Sequence, residues 1–115
     1  MTIRECYELF GGDYSGTLAR LGKEDFVKRL AKKFLDDANL SSLKAAAANG
    51  DAETAFRAVH TLKGLALNLG FTNLASLSSE LTEILRGGSL TGSEELIRKI
   101  EDESKKIIEA IGRLD

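Results

Sequence analysis

The chain has 115 residues, 43% apolar and 30% charged, which fits one soluble domain with a single core. Its net charge is −2, from 16 basic and 18 acidic residues spread along the chain, so no basic block argues for nucleic acid and no acidic block for a tail. No run of about 18 apolar residues exists to span a membrane.

Proline is absent and eleven glycines do nearly all the punctuation, a combination that favours helices joined by Gly-terminated turns. The first segment, TIRECYELFGG, reads as a short amphipathic helix. Thr2 and Glu5 have capping-box spacing, and Gly11-Gly12 end it. The same N-terminus lacks the basic start and apolar run of a signal peptide. Cys6, the lone cysteine, has no internal disulfide partner. Both features lead us to expect a cytoplasmic protein.

A second helical region begins near Asp13 and breaks at Gly22. It resumes as KEDFVKRLAKKFLDD, with Phe26, Val27, Leu30 and Phe34 on one face. Leu40 to Ala48 is a short Ala-rich helix closed by Asn49-Gly50. The next helix covers 51–69, with Asp51 as N-cap and Gly70 as stop. Ala52, Ala55, Val59, Leu62, Ala66 and Leu69 recur three and four apart, which makes a core stripe. Another helix spans Thr72 to Arg86, with Leu74, Leu77, Leu81, Ile84 and Leu85 expected inward and Gly87-Gly88 after it. The last spans Ser93 to Arg113, with Leu96, Ile100, Ile107, Ile111 and Leu114 inward and a capping box expected between Thr91 and Glu94. No segment alternates like a strand. Short connections make neighbouring helices antiparallel, and narrow apolar stripes suit bundle packing. The expected fold is all-α: an up-down-up-down four-helix bundle with additional short N-terminal helices, forming a single domain over 1–115.

The stretch HTLKGLALNLG, residues 60–70, holds the only histidine, His60. Phe56, His60, Lys63, Gly64 and Leu67 share one side of that helix, with Arg57 at its edge. This side is offset from the stripe through Val59 and Leu62, so His60 belongs at the border of the core face with its ring tip in water. Glycine inside a helix costs about 1 kcal/mol relative to alanine. Gly64, one turn from His60, either permits close helix packing or clears an approach to the ring. Lys63 places a cation at i+3, suited to a bound anion. Imidazole is a nucleophile near neutral pH. An accessible imidazole, a nearby cation and a cleared approach are what a transient phosphohistidine needs. Phe56 reads first as a core residue with an exposed edge. Leu67 is open between a bundle contact and a binding contact.

The motif His60-Thr61-Leu62-Lys63-Gly64, followed by Leu69-Gly70, resembles the H-x-x-K-G…L-G signature of histidine-phosphotransfer (HPt) domains. The lead-in GDAETAFRAV and the next helix, FTNLASLSSELTEILR, are also similar to that family, so the resemblance is carried by about residues 50–86. It implies a four-helix bundle that carries a phosphoryl group on the motif histidine and exchanges it with a response-regulator receiver aspartate, or takes it from a hybrid histidine kinase. By resemblance, His60 is the phosphoacceptor, Lys63 neutralises the phosphoryl group and Gly64 keeps the approach open. Two positions depart from the pattern. Leu65 stands where many members have Ser or Ala, but it lies about 140° around the helix from His60. Thr82 stands where some members place a glutamine near the histidine.

The expected partner surface comprises Phe56, Arg57, Lys63, Gly64 and Leu67 from helix geometry, and Ser78, Thr82 and Arg86 from the family pattern. The chain has no Gly-rich phosphate loop and no kinase-like acidic metal site, so it is expected to be a monomeric carrier and not a kinase. It should bind no cofactor itself, and the receiver should bring Mg²⁺. One His and one Cys make a poor zinc set, and no G-x-S-x-G occurs. The alternative is a bundle adaptor that binds a receiver-like partner without phosphate. A pure adaptor gains nothing from Gly64.

Overall fold

The computed structural model describes residues 1–114. They form seven α-helices: α1 (Ile3–Phe10), α2 (Tyr14–Leu21), α3 (Glu24–Lys33), α4 (Asn39–Ala48), α5 (Ala52–Leu69), α6 (Thr72–Leu85) and α7 (Glu94–Ile111), with a 3-10 turn at Phe34–Asp36 between α3 and α4. Among the described residues there is no strand. Helices α4 to α7 form the up-down-up-down bundle: each packs on the next, and α4 also meets α7. The short N-terminal helices lie against it, α1 on α7 and α3 on α5.

Local chemistry sets the helix ends. Thr2 and Glu5 make the expected capping box on α1, and Gly11 closes that helix at φ 69°. Asp13 caps α2 and Gly22 ends it. Asp51 caps α5 by accepting the Thr54 N–H at 3.1 Å and the Thr54 hydroxyl at 2.6 Å. These bonds hold the Asp51 carboxyl below its ordinary range. The capping box expected at Thr91 and Glu94 does not form. Ser93 is the residue before α7, and its hydroxyl donates to Leu90 O at 2.6 Å. Gly92, at φ 83°, keeps the chain in a turn past Thr91, and the N-cap falls two residues later than the Thr91 spacing assumed, at Ser93.

The core runs through the bundle along the expected stripes, with exceptions. Ala55, Val59, Leu62, Ala66 and Leu69 of α5 are buried, as are Leu96, Ile100, Ile107 and Ile111 of α7, while Ala52 is only half-buried. Phe26 and Ile84, expected inward, are exposed. Five aromatic rings close one end. Tyr7 packs on Phe10, Tyr14 and Phe71 at 5.1, 5.4 and 5.8 Å, and Phe71 also meets Phe10 and Phe34, both at 5.2 Å. Burying a ring of this size contributes about 1.5–3 kcal/mol. This cluster joins α1, α2 and the 3-10 turn to the corner between α5 and α6.

Candidate functional site

Eighteen residues of α5 carry the site. Its buried stripe turns Val59 and Leu62 into the core, so the next positions round the helix face outward. His60 is exposed. One turn earlier, Phe56 is half-buried against the core and stacks on the His60 ring, with centroids 5.9 Å apart and planes 29° apart. One turn later, Gly64 is exposed, and a Cβ built there would meet nothing within 4 Å. That removes the packing explanation for a mid-helix glycine: no neighbouring helix approaches it. Leu67, at 56% exposure, is the most exposed large apolar residue of the chain's described part and no part of the bundle core.

The charges around the ring differ in their commitments. Arg57 is held by Glu53 at 3.0 Å, and Arg86 by Glu83 at 2.9 Å. Lys63 has no ion pair among the described residues. It is half-buried and lines a groove of about 450 Å³ between α5 and α6, together with Leu67, Ser76, Ser79 and Arg20. An uncommitted ammonium one turn from an exposed imidazole can accept an anion without first breaking a salt bridge.

The C-terminal end of α5 is tied down from outside the helix. The last carbonyls of a helix have few backbone donors, although Leu67 O accepts the Gly70 N–H at 3.3 Å. Tyr7 Oη donates to Leu69 O at 2.6 Å, and Arg20 donates to Leu67 O at 3.1 Å and Asn68 O at 2.9 Å. Burial pushes the Tyr7 phenol well above its ordinary value, so it remains a donor. Gly70 takes φ 71°, and its carbonyl accepts the Asp13 N–H at 2.9 Å. The Gly70 of the sequence motif is therefore structural, whereas Gly64 is not.

Two residues expected on the partner surface are not there. Ser78 and Thr82 are completely buried. The Thr82 hydroxyl donates to Ser78 O at 2.6 Å, within α6 itself, and this i−4 bond lets a threonine face the core without an orphaned donor. Of the three positions taken from the family pattern, Arg86, just past the end of α6, alone is exposed. Its guanidinium carbon lies 5.4 Å from the centre of the Phe56 ring. Ser76 and Ser79, beside Lys63, were not singled out from the sequence. They fall on the α6 face that begins at Thr72 and continues through Ala75, a three-and-four spacing that is visible once α6 is phased from its first turn. Leu65 lies away from His60, in a small groove with Leu30, Phe34 and Leu69. Among the described residues no cluster of three or more His, Cys, Asp or Glu side chains could hold a metal ion. Among the described residues no helix is long and apolar enough to cross a membrane.

The bundle presents the exposed His60 imidazole from the middle of α5. Residues 29–113 match the family model described as the Hpt domain, and the chain belongs to that family. No curated protein and no solved structure matches the chain. Hpt domains are phosphotransfer carriers of two-component phosphorelays, working with receiver domains and kinases, and are not themselves kinases.

Proposed function

We propose that this chain is a histidine phosphotransfer protein in which His60 carries the phosphoryl group to or from the aspartate of a response-regulator receiver domain. In the forward step a ring nitrogen lone pair of neutral His60 forms the N–P bond. The O–P bond of the aspartyl phosphate breaks, its electron pair leaves on the carboxylate, and the other ring nitrogen keeps its proton. Transfer in the opposite direction reverses each change. Lys63 faces the phosphoryl oxygens as their counter-charge, and Gly64 leaves room for the partner's backbone. Mg²⁺ enters with the receiver. We read residues 1–115 as one domain, since α1 packs on α7 and the aromatic cluster ties the N-terminal helices to the α5–α6 corner.

The observation that carries this reading is the open space at Gly64 beside the exposed His60 ring. A helix that tolerates a glycine costing about 1 kcal/mol without packing anything against it is explained by an approaching partner. The test is incubation with a receiver domain phosphorylated by acetyl phosphate. The protein should gain label as the receiver loses it, and His60→Gln should gain none. Equal labelling of the variant would remove His60 from the reaction.

A further inference from the structure

The His60 ring has an aromatic neighbour and no hydrogen-bond partner among the described residues. Thr82, the α6 residue that the family pattern sets near the histidine, is buried and gives its hydroxyl to Ser78 O. An exposed imidazole without a hydrogen-bond partner has no polar contact to fix its ring orientation about χ2. Phe56 is different. Its side chain is half-buried and packed on the core, which fixes its ring. Its ring also sits beneath the Arg86 guanidinium, which Glu83 holds in turn. Phe56 is thus an anchored plane with His60 stacked on it.

We propose that Phe56 is the positioning residue for His60: an aromatic stack, in place of a hydrogen bond, holds the imidazole in the orientation from which it meets an aspartyl phosphate. The inference rests on the phosphotransfer reading above. Two folded proteins meet with fixed geometry, so the ring must already point at the partner's phosphorus for the encounter to be productive. A small phosphoryl donor carries no such demand, because it can reach the ring in any rotamer. Positioning should therefore matter for the protein donor and hardly at all for the small one.

The test compares wild type, Phe56→Leu and Phe56→Tyr with two donors: a receiver domain loaded with acetyl phosphate and Mg²⁺, and phosphoramidate. With the receiver, Phe56→Leu should lower the saturating rate constant about 3- to 10-fold, the size of one aromatic contact, and change half-saturation by a smaller factor, since Phe56 also lies on the expected partner surface. With phosphoramidate its rate should stay within about twofold of wild type. Phe56→Tyr, which keeps the ring, should restore receiver transfer. In the wild-type protein alone, NOEs should connect the Phe56 and His60 ring protons, a readout that does not depend on how any variant folds. The inference is overturned if those NOEs are absent, if Phe56→Leu matches wild type, if its loss lies wholly in half-saturation, or if both donors slow equally. Wild-type protein that takes label from neither donor would instead overturn the phosphotransfer reading, and this inference with it.

Discussion

Gly70 lies directly against Thr17: a Cβ on Gly70 would collide with the Thr17 hydroxyl and come within 2.7 Å of the Asp13 carbonyl. With φ at 71°, the same position is also strained for any L side chain. Gly64, on the same helix, has neither constraint. Gly64→Ala should therefore keep or raise stability, by up to about 1 kcal/mol, while slowing phosphotransfer. Gly70→Ala should lower stability, by about 1 kcal/mol or more, and loosen the α2 contact. Denaturant midpoints of the two variants, read beside transfer rates, separate the roles. A Gly64→Ala protein that loses stability and transfers normally would assign Gly64 to packing.

Leu67 is exposed beside the Lys63 groove, an apolar contact with a polar rim of the kind that transient interfaces use. Leu67→Asp should weaken receiver binding about tenfold or more. Its effect on folding should stay below about 1 kcal/mol, since the site is at the surface and only the acid near the helix C-terminus is unfavourable. Calorimetric titration with a receiver, alongside a thermal melt, checks both halves.

Lys63→Ala should slow transfer about tenfold or more, by removing the counter-charge at the phosphoryl group, and change docking within about threefold. Arg86→Ala should act the other way: a small effect, larger on association than on the saturating rate because the core still holds the Phe56 ring, and weakening as salt rises. Stopped-flow rates at two ionic strengths distinguish these patterns. A Lys63→Ala defect confined to binding would make Lys63 a docking residue only.

Asp51 gives a pH prediction. Its bonds to Thr54 lower its folded-state pKa below the ordinary 3.8. The cap therefore contributes its full stability above the unfolded-state value and loses it as pH falls through the depressed folded value. Asp51→Ala should be less stable than wild type at neutral pH, and the gap should close in acid below the ordinary aspartate range. A gap that is constant across that range would mean the cap's charge contributes nothing.

Much of the α5 site was legible because its signals are local. Asp51 and Gly70 bound the helix, and the offset of His60 from Val59 and Leu62 follows from helical period alone. The phase of α6 was harder. Its leucine spacing pointed Ile84 inward, and the family pattern put Ser78 and Thr82 on the partner surface, whereas the buried stripe is Leu74, Ala75, Ser78, Leu81, Thr82 and Leu85. Hydropathy reads a hydroxyl as a surface group, but Thr82 satisfies its own donor on α6, a pairing that apolar periodicity does not register. The Phe56 stack was hidden for a related reason. Spacing four apart places two rings on one face, but the anchoring of Phe56 by the core and by Arg86 depends on how α6 packs.

The most direct test of the central claim is the site of the phosphoryl group after reaction with a phosphorylated receiver. Peptide mapping under alkaline conditions, which preserve a phosphoramidate, should find one modified residue, His60, with label that is lost in acid and absent from His60→Gln. Acid-stable label on a serine or threonine, or label that persists in His60→Gln, would contradict the account.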